Sequence, residues 1–284
     1  MGIRIITDSA ADFSSGELKK YQIGVVPLSV NFGTDTYLDG VTLTPDVFWN
    51  RLFAGENPKT SQPSPDMFLS AFEEAKAAGD SVVCICVSSA LSGTAQSAAI
   101  AASMAEGCEI HIVDSMSVAT AEKLLALHAC RLRDEGHLSA REIAQELKAL
   151  RSRIHLYASL DTLENLARSG RISKAAASIG TLAQLKPLVK ITPDTDGHVE
   201  VCGKAIGRHR AIDAIAKLID KHSIDERFPV MPIYTYSADN CAALVKKLRA
   251  NGIAVSDELL SALGPTLATH IGPNAYGIAF VAAE

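Results

Sequence analysis

Hydroxyl groups held in proline- and glycine-shaped turns are the side chains of this sequence best suited to chemistry. Thr60-Ser61-Gln62-Pro63-Ser64 and Ser88-Ser89-Ala90-Leu91-Ser92-Gly93-Thr94 carry most of them. Hydroxyls beside the unpaired N–H groups of a helix start suit a carboxylate or phosphate that is held without being transformed. A helix cap with incidental serines explains the second turn equally well from local sequence alone. Small and aliphatic residues nearby can line an apolar space, and together these features favour an amphiphile. Each methylene removed from water contributes about 0.8 kcal/mol, so a long acyl tail gives roughly 10 kcal/mol before ordering costs. A buried carboxylate costs several kcal/mol unless hydrogen-bonded. Each hydrogen bond to the charge returns about 1.5–3 kcal/mol, so two or three donors suffice.

Other chemistries lack their usual residues. There is no G-x-G-x-x-G or G-x-x-x-x-G-K-[ST] to cradle a nucleotide, which disfavours a nucleotide-binding regulatory module. There is no G-x-S-x-G elbow either, so an acyl- or phosphoryl-transfer enzyme with Ser92 as nucleophile is the weaker alternative. Asp8 and Asp114 read as capping and turn residues more than as a catalytic carboxylate pair. His111 alternates within a strand, His128 and His222 fall on helices, and His270 lies in a loop before Gly272-Pro273. Six cysteines at 84, 86, 108, 130, 202 and 241 form no C-x-x-C and read as small core residues. No metal ligands and no cofactor are expected.

The elements that position these turns alternate between strand and helix. Ser88–Thr94 follows the apolar run Val82–Val87, which suits a strand buried on both faces, and precedes a helix over Ala95–Ala102. Arg4-Ile5-Ile6 and Glu109–Val113 are further strands. All three strands end in hydroxyls or carboxylates: Thr7-Asp8-Ser9, Ser88-Ser89 and Asp114-Ser115. In a parallel sheet such ends share one edge, where open α/β sheets bind their ligands. Asp12–Tyr21 is read as a helix, and Ile23–Val30 as a strand bent or placed at an edge by Pro27. Asn31–Gly40 is turn-rich and makes a small hairpin or excursion. Thr44-Pro45 and Ser64-Pro65 start helices, and Ser139 with Glu142 forms a capping box. In the second half, Ile154–Leu160 is a strand, and Asp161 caps a helix to Ala167. Another helix covers Lys174–Leu185. Leu188–Thr192 and His198–Cys202 form a hairpin. Helices over Ala211–Lys221 and Asn240–Ala250 flank the strand Val230–Tyr236, and Ile278–Ala282 is the final strand. The expected architecture is α/β in two domains, 1–152 and 153–284, the first with a mainly parallel sheet.

With 284 residues, 48% of them hydrophobic, the chain has ample material for its core. A net charge of −5 argues against a nucleic-acid partner. No run of eighteen apolar residues spans a membrane, and the first residues reach Asp8 too soon for a signal peptide. A cytoplasmic location is expected.

In order along almost the whole chain, several segments together are specific. They are Thr7-Asp8-Ser9-Ala10-Ala11-Asp12, Thr60–Ser64, Ser88–Thr94, Val113-Asp114-Ser115, Leu163-Glu164-Asn165-Leu166, Ser169–Ser173, Leu185-Lys186-Pro187 and His270–Pro273. With them the chain resembles the DegV family, bacterial fatty-acid-binding proteins that include the FakB subunits of fatty acid kinase. The resemblance implies a long-chain fatty acid such as palmitate in a tunnel, with its carboxylate at the cleft between two domains. It implies Thr60 and Ser92 as the carboxylate ligands, with Ser61, Gly93, Thr94, Arg171 and His270 around the head group. It further implies a binding protein, not itself a catalyst, that presents the carboxylate to an ATP-dependent kinase subunit. Three positions depart from the family pattern. Ser169 and Asn274 stand where glycines are common, and Ile206 stands where many relatives have the arginine of K-x-R, with Arg208 or Arg210 close enough to compensate.

Overall fold

The apolar run of the opening half forms the centre of a four-stranded parallel sheet. In the computed structural model, which describes residues 2–173, 184–256 and 260–284, the sheet order is β2-β1-β6-β7. Its strands are β1 (Ile3–Asp8), β2 (Ile23–Val26), β6 (Ser81–Cys86) and β7 (Ile110–Asp114). β6 is buried along its whole length, as its unbroken apolar sequence requires. One face is covered by α3 (Pro65–Ala77) and α4 (Thr94–Met104), with Phe68 and Phe72 against Val82 and Cys84. On the other face lie α5 (Ala119–Glu135) and α6 (Ala140–Leu150). The Ser139–Glu142 capping box that starts α6 is fully formed.

The far side of α5 packs against a second sheet of six strands, ordered β10-β9-β8-β13-β11-β12. These are β8 (Ile154–Ser159), β9 (Leu185–Ile191), β10 (Glu200–Ile206), β11 (Met231–Tyr234), β12 (Ser261–Ala262) and β13 (Tyr276–Val281). Leu124 and Leu125 of α5 therefore share one core with Val83 of the first sheet and Leu156 and Ala279 of the second. α8 (Arg208–Ile219) and α9 (Asp239–Ala250) cover the outer face. Gly277 lets β13 lie close to β8, since a Cβ there would stand 2.4 Å from the Tyr157 carbonyl oxygen. A third, three-stranded sheet, β4-β3-β5, rides above the first and is covered by α2 (Pro45–Phe53). It comprises β3 (Ser29–Phe32), β4 (Asp35–Leu38) and β5 (Lys59–Ser61).

Several local expectations change. Pro27 separates Ile23–Val30 into two strands that belong to different sheets. α1 is Ser15–Tyr21, because Ser14 and Glu17 close a capping box while Asp12 turns left-handed at φ 53°. Asp161 caps no helix. Its carboxylate accepts from Lys186 Nζ at 2.5 Å and Asn274 Nδ2 at 2.9 Å, and α7 (Glu164–Arg168) starts later, with Thr162 Oγ1 accepting the Glu164 N–H. His222 falls in the turn after α8. The segment before β13 is not all loop, because Pro265 starts α10 (Pro265–Ile271) and places His270 in its last turn. The helix expected over Lys174–Leu185 lies outside the described residues except at its end, where Leu185 opens β9. Asn274 takes the left-handed conformation, φ 59°, that makes it a tolerable substitute for glycine. Ser169, at φ −85°, requires no glycine.

Candidate functional site

The three polar strand ends do share one edge, and Asp8 and Asp114 tie the ends of β1 and β7 to the end of β6. Asp8 Oδ1 accepts the Ala10 N–H at 2.9 Å and Oδ2 the Val87 N–H at 2.8 Å. Asp114 accepts from Ser89 and Met116. The two aspartates thus pin backbone turns, as expected of capping residues. Burial, reinforced by nearby Asp39, pushes Asp8 up to about 7 although its two backbone bonds act in the opposite sense.

Above this edge lies a cavity of about 300 Å³. Thr60, Ser61, Ser92, Arg171 and His270 all line it, drawn from β5, the β6–α4 turn, the segment after α7, and α10. Thr60 is therefore a strand residue, opposite Val30, and not a loop residue. Apolar side chains complete the wall, among them Leu28, Val87, Leu91, Val118 and Leu267. An adjoining apolar compartment of about 60 Å³ shares Val118, Leu166, Val199, Leu267 and Ile271 and reaches Ala158, Ile191 and Ile233 of the second sheet. Lys190 also touches it, and its ammonium pairs with Asp194.

Each of the two central hydroxyls has a polar group behind it. Thr60 Oγ1 lies 2.9 Å from His270 Nε2, and Ser92 Oγ 2.8 Å from Thr94 Oγ1. Burial, with Arg171 adding to it, pushes the His270 ring down to about 4, so it is neutral near pH 7. A neutral imidazole has one N–H, and Nδ1 has no partner among the described residues. Leaving a bare nitrogen unpaired costs less than burying an unpaired N–H, which places the proton on Nε2. Nε2–H then donates to Thr60, and the Thr60 hydroxyl proton is free to point into the cavity. If Thr94 donates to Ser92, the Ser92 proton is free in the same way. Arg171 is tethered by Nε to the Leu91 carbonyl at 3.1 Å and by Nη1 to the Ser169 carbonyl at 2.6 Å. Both acceptors are neutral, and among the described residues no carboxylate pairs with the guanidinium, which lies beside the cavity.

Gly93 and Thr94 stand behind the wall instead of in it, and Thr94 is fully buried. Gly93 leaves room for a residue the motif pattern does not single out. The Gln62 amide packs against its Cα, where a Cβ would stand 2.2 Å from Oε1, while Nε2 donates to Ser97 Oγ at 3.0 Å. Gln62 also lines the cavity, so it ties the Thr60 strand to the start of α4. Its side-chain amide within a hydroxyl cluster is the only sequence signal for that role.

Among the described residues, no helix is long and apolar enough to cross a membrane, and no three His, Cys, Asp or Glu side chains are grouped to hold a metal ion. The six cysteines are free.

A family model described as "Uncharacterised protein, DegV family" matches residues 2–283. A DegV domain-containing protein of Caldanaerobacter subterraneus is 33% identical over 280 residues, 98% of each chain. Among solved structures, a DegV family protein from Thermus thermophilus, described for its fatty acid binding, is 33% identical with a TM-score of 0.88, each chain covered completely. DegV of Bacillus subtilis, described as a fatty acid binding protein, is 29% identical with a TM-score of 0.85, again over both full chains. The order of the motifs, the parallel sheet with its polar edge and the match along nearly every residue agree, and the chain belongs to the DegV family.

Proposed function

We propose that this protein binds a long-chain fatty acid of about palmitate length, with the carboxylate on Thr60 and Ser92 and the tail in the apolar cavity. The observation that carries the reading is a mostly apolar cavity lined by two hydroxyls, each hydrogen-bonded to a polar group, Thr60 to His270 and Ser92 to Thr94. The Thermus thermophilus and Bacillus subtilis relatives, both described as binding fatty acids, support it. Two hydrogen bonds to the carboxylate return about 3–6 kcal/mol, enough to offset its desolvation while the tail supplies the affinity. Arg171 adds a long-range attraction, and Ser61 is a third hydroxyl within the cavity although its Oγ accepts from Asn31. Organic extraction of purified protein followed by mass spectrometry tests the reading. A bound long-chain acid is expected, and protein that is empty and takes up no added acid refutes it.

In this reading the protein is a cytoplasmic carrier of two halves, 1–152 and 153–284, that offers its carboxylate to an ATP-dependent fatty acid kinase subunit. Lys204, Arg208 and Arg210 are exposed around the exposed Ile206 and supply the basic surface for that docking. Charge reversal at Arg208 and Arg210 should abolish capture of a kinase subunit while leaving acid binding intact. A Ser92 nucleophile has no support in the geometry: its hydroxyl partner is Thr94, and the histidine in the cavity is bonded to Thr60. A serine-directed covalent probe should leave Ser92 unlabelled.

A further inference from the structure

We propose that Asp12 is a positioning residue for the cavity: its buried carboxylate, from the first half of the chain, seats the first turn of α10 and so sets His270 against Thr60. The inference rests on the reading of the cavity as a carboxylate site.

Asp12 follows a short 3-10 turn, Ser9–Ala11, and holds a left-handed backbone at φ 53°, which aspartate tolerates better than most residues. From there Oδ1 accepts the Gly264 N–H at 2.9 Å, across 252 positions of sequence. Gly264 is the N-cap of α10 and has no side chain with which to cap it. Its φ of −72° is open to any residue, so glycine serves here to make space. A Cβ at this position would stand 2.8 Å from Asp12 Oδ1 and 3.4 Å from Asp39 Oδ1. Two carboxylates from the first half thus converge on the start of a second-half helix.

The other end of α10 is held within the second half. Thr235 Oγ1 donates to the Gly272 carbonyl at 2.8 Å and accepts the Ala275 N–H at 2.9 Å. Between these two anchors the helix carries Leu267 and Ile271, which wall the cavity, and His270. Gly264 lies six positions before His270, about 9 Å of helix, so the capped first turn and the ring that meets Thr60 at 2.9 Å belong to one short helix. The charged groups facing Asp12 are Asp8 at the end of β1, Asp39 after β4, and Glu122 and Lys123 of α5. Lys123 is engaged elsewhere, donating to Glu17 and to Ser261 Oγ at 3.0 Å. Asp12 Oδ2 has no partner among the described residues, so Asp12 makes its tie through the one oxygen that meets Gly264.

The test compares wild type with Asp12→Ala, Asp12→Asn and Gly264→Ala, using cis-parinaric acid as the probe and the NMR titration of the His270 ring, assigned by its loss in His270→Gln. Asp12→Ala should weaken probe binding about tenfold, the effect of one lost hydrogen bond to a charged group. It should also raise the His270 titration from about 4 toward 6.5 as the ring leaves its buried place. Asp12→Asn keeps an acceptor oxygen and should restore both values, whereas Gly264→Ala should reproduce the defect with Asp12 intact. A merely structural aspartate would lower the melting temperature and leave the His270 titration of the folded protein unchanged. Wild-type affinity and titration in Asp12→Ala would overturn the inference, as would an Asn variant as damaged as the Ala variant. If Asp12→Ala does not fold, Asp12→Asn against Gly264→Ala decides. Failure of wild type to bind the probe refutes the fatty acid reading alone, because the His270 titration still reports the positioning.

Discussion

Thr60 and His270, 210 residues apart in the chain, meet at the cavity with Oγ1 2.9 Å from Nε2. One belongs to a small sheet of the first half and the other to the last turn of α10, so the contact forms only when the two halves close on each other.

Thr60→Ala and Ser92→Ala should each weaken binding of a long-chain acid about tenfold, as expected for one lost hydrogen bond to a carboxylate. Thr60 pairs with Val30 through the backbone and Ser92 lies in a turn, so neither change should disturb the fold. Fluorescent-acid titration beside thermal melting checks both points, and unchanged affinity in both variants would remove the head-group assignment.

Binding should in turn move His270. A carboxylate in the cavity favours the charged imidazole, so the ring should titrate above about 4 when the acid is bound, by NMR of the loaded against the stripped protein. No movement would place the head group away from Thr60.

Asp8 makes a prediction of definite sign. Its folded-state pKa near 7 lies above the ordinary 3.8, so folding favours the protonated form and this contribution is lost as pH rises through 7. Between pH 6 and pH 8 the loss is about 1.4 kcal/mol. Asp8→Asn does not titrate and should gain on wild type by that amount over the same interval, measured by denaturant unfolding. His128, His155 and His270 are all pushed down to about 4 by burial and act oppositely, destabilising the fold as pH falls below 6.5, so the comparison with the variant isolates Asp8.

Gly93→Ala should expel the Gln62 amide, since the new Cβ would lie 2.2 Å from its Oε1. The φ of −76° at Gly93 is open to alanine, so the cost comes from Gln62 and from the lost bond to Ser97. Weaker acid binding is expected from the single change. Adding Gln62→Ala should recover the melting temperature but not the affinity. A single variant that melts and binds like wild type would show that the amide moves aside freely.

Ala158→Leu should fill the inner apolar compartment from the β8 side. At about 60 Å³ that space holds roughly four groups of water size. Leucine adds three carbons to the alanine side chain, so the acids recovered by extraction should shorten by about three carbons, read by mass spectrometry. An unchanged acid profile would mean that the tail ends short of the second sheet.

The strand-turn-helix order around Ser88–Thr94 was legible because an unbroken apolar run, a polar turn and small helical residues differ sharply. The capping box at Ser139–Glu142 was legible for the same local reason. Misreadings arose where a distant partner outweighed local propensity. Asp161 resembles an N-cap until Lys186 and Asn274 claim its carboxylate. His270 reads as a loop residue from the glycines after it, although Gly264-Pro265 upstream carried a helix-start signal. Pro27 announced a bend, but only pairing partners reveal that the bend changes sheets. Within the cavity, the resemblance to the family pointed to five of the lining residues, whereas the Gln62–Gly93 contact depends on a spacing that no periodicity encodes.

β13 sits between β8 and β11, both of which precede it in the chain. During synthesis those two strands emerge with their facing edges unpaired, and they wait for a strand made later to fill the gap. Until it arrives the nascent second half exposes apolar strand edges of the kind chaperones shield. α10 immediately precedes β13, so the wall that carries His270 and the strand that completes the sheet settle together. The compartment therefore closes only as one of the final steps of folding.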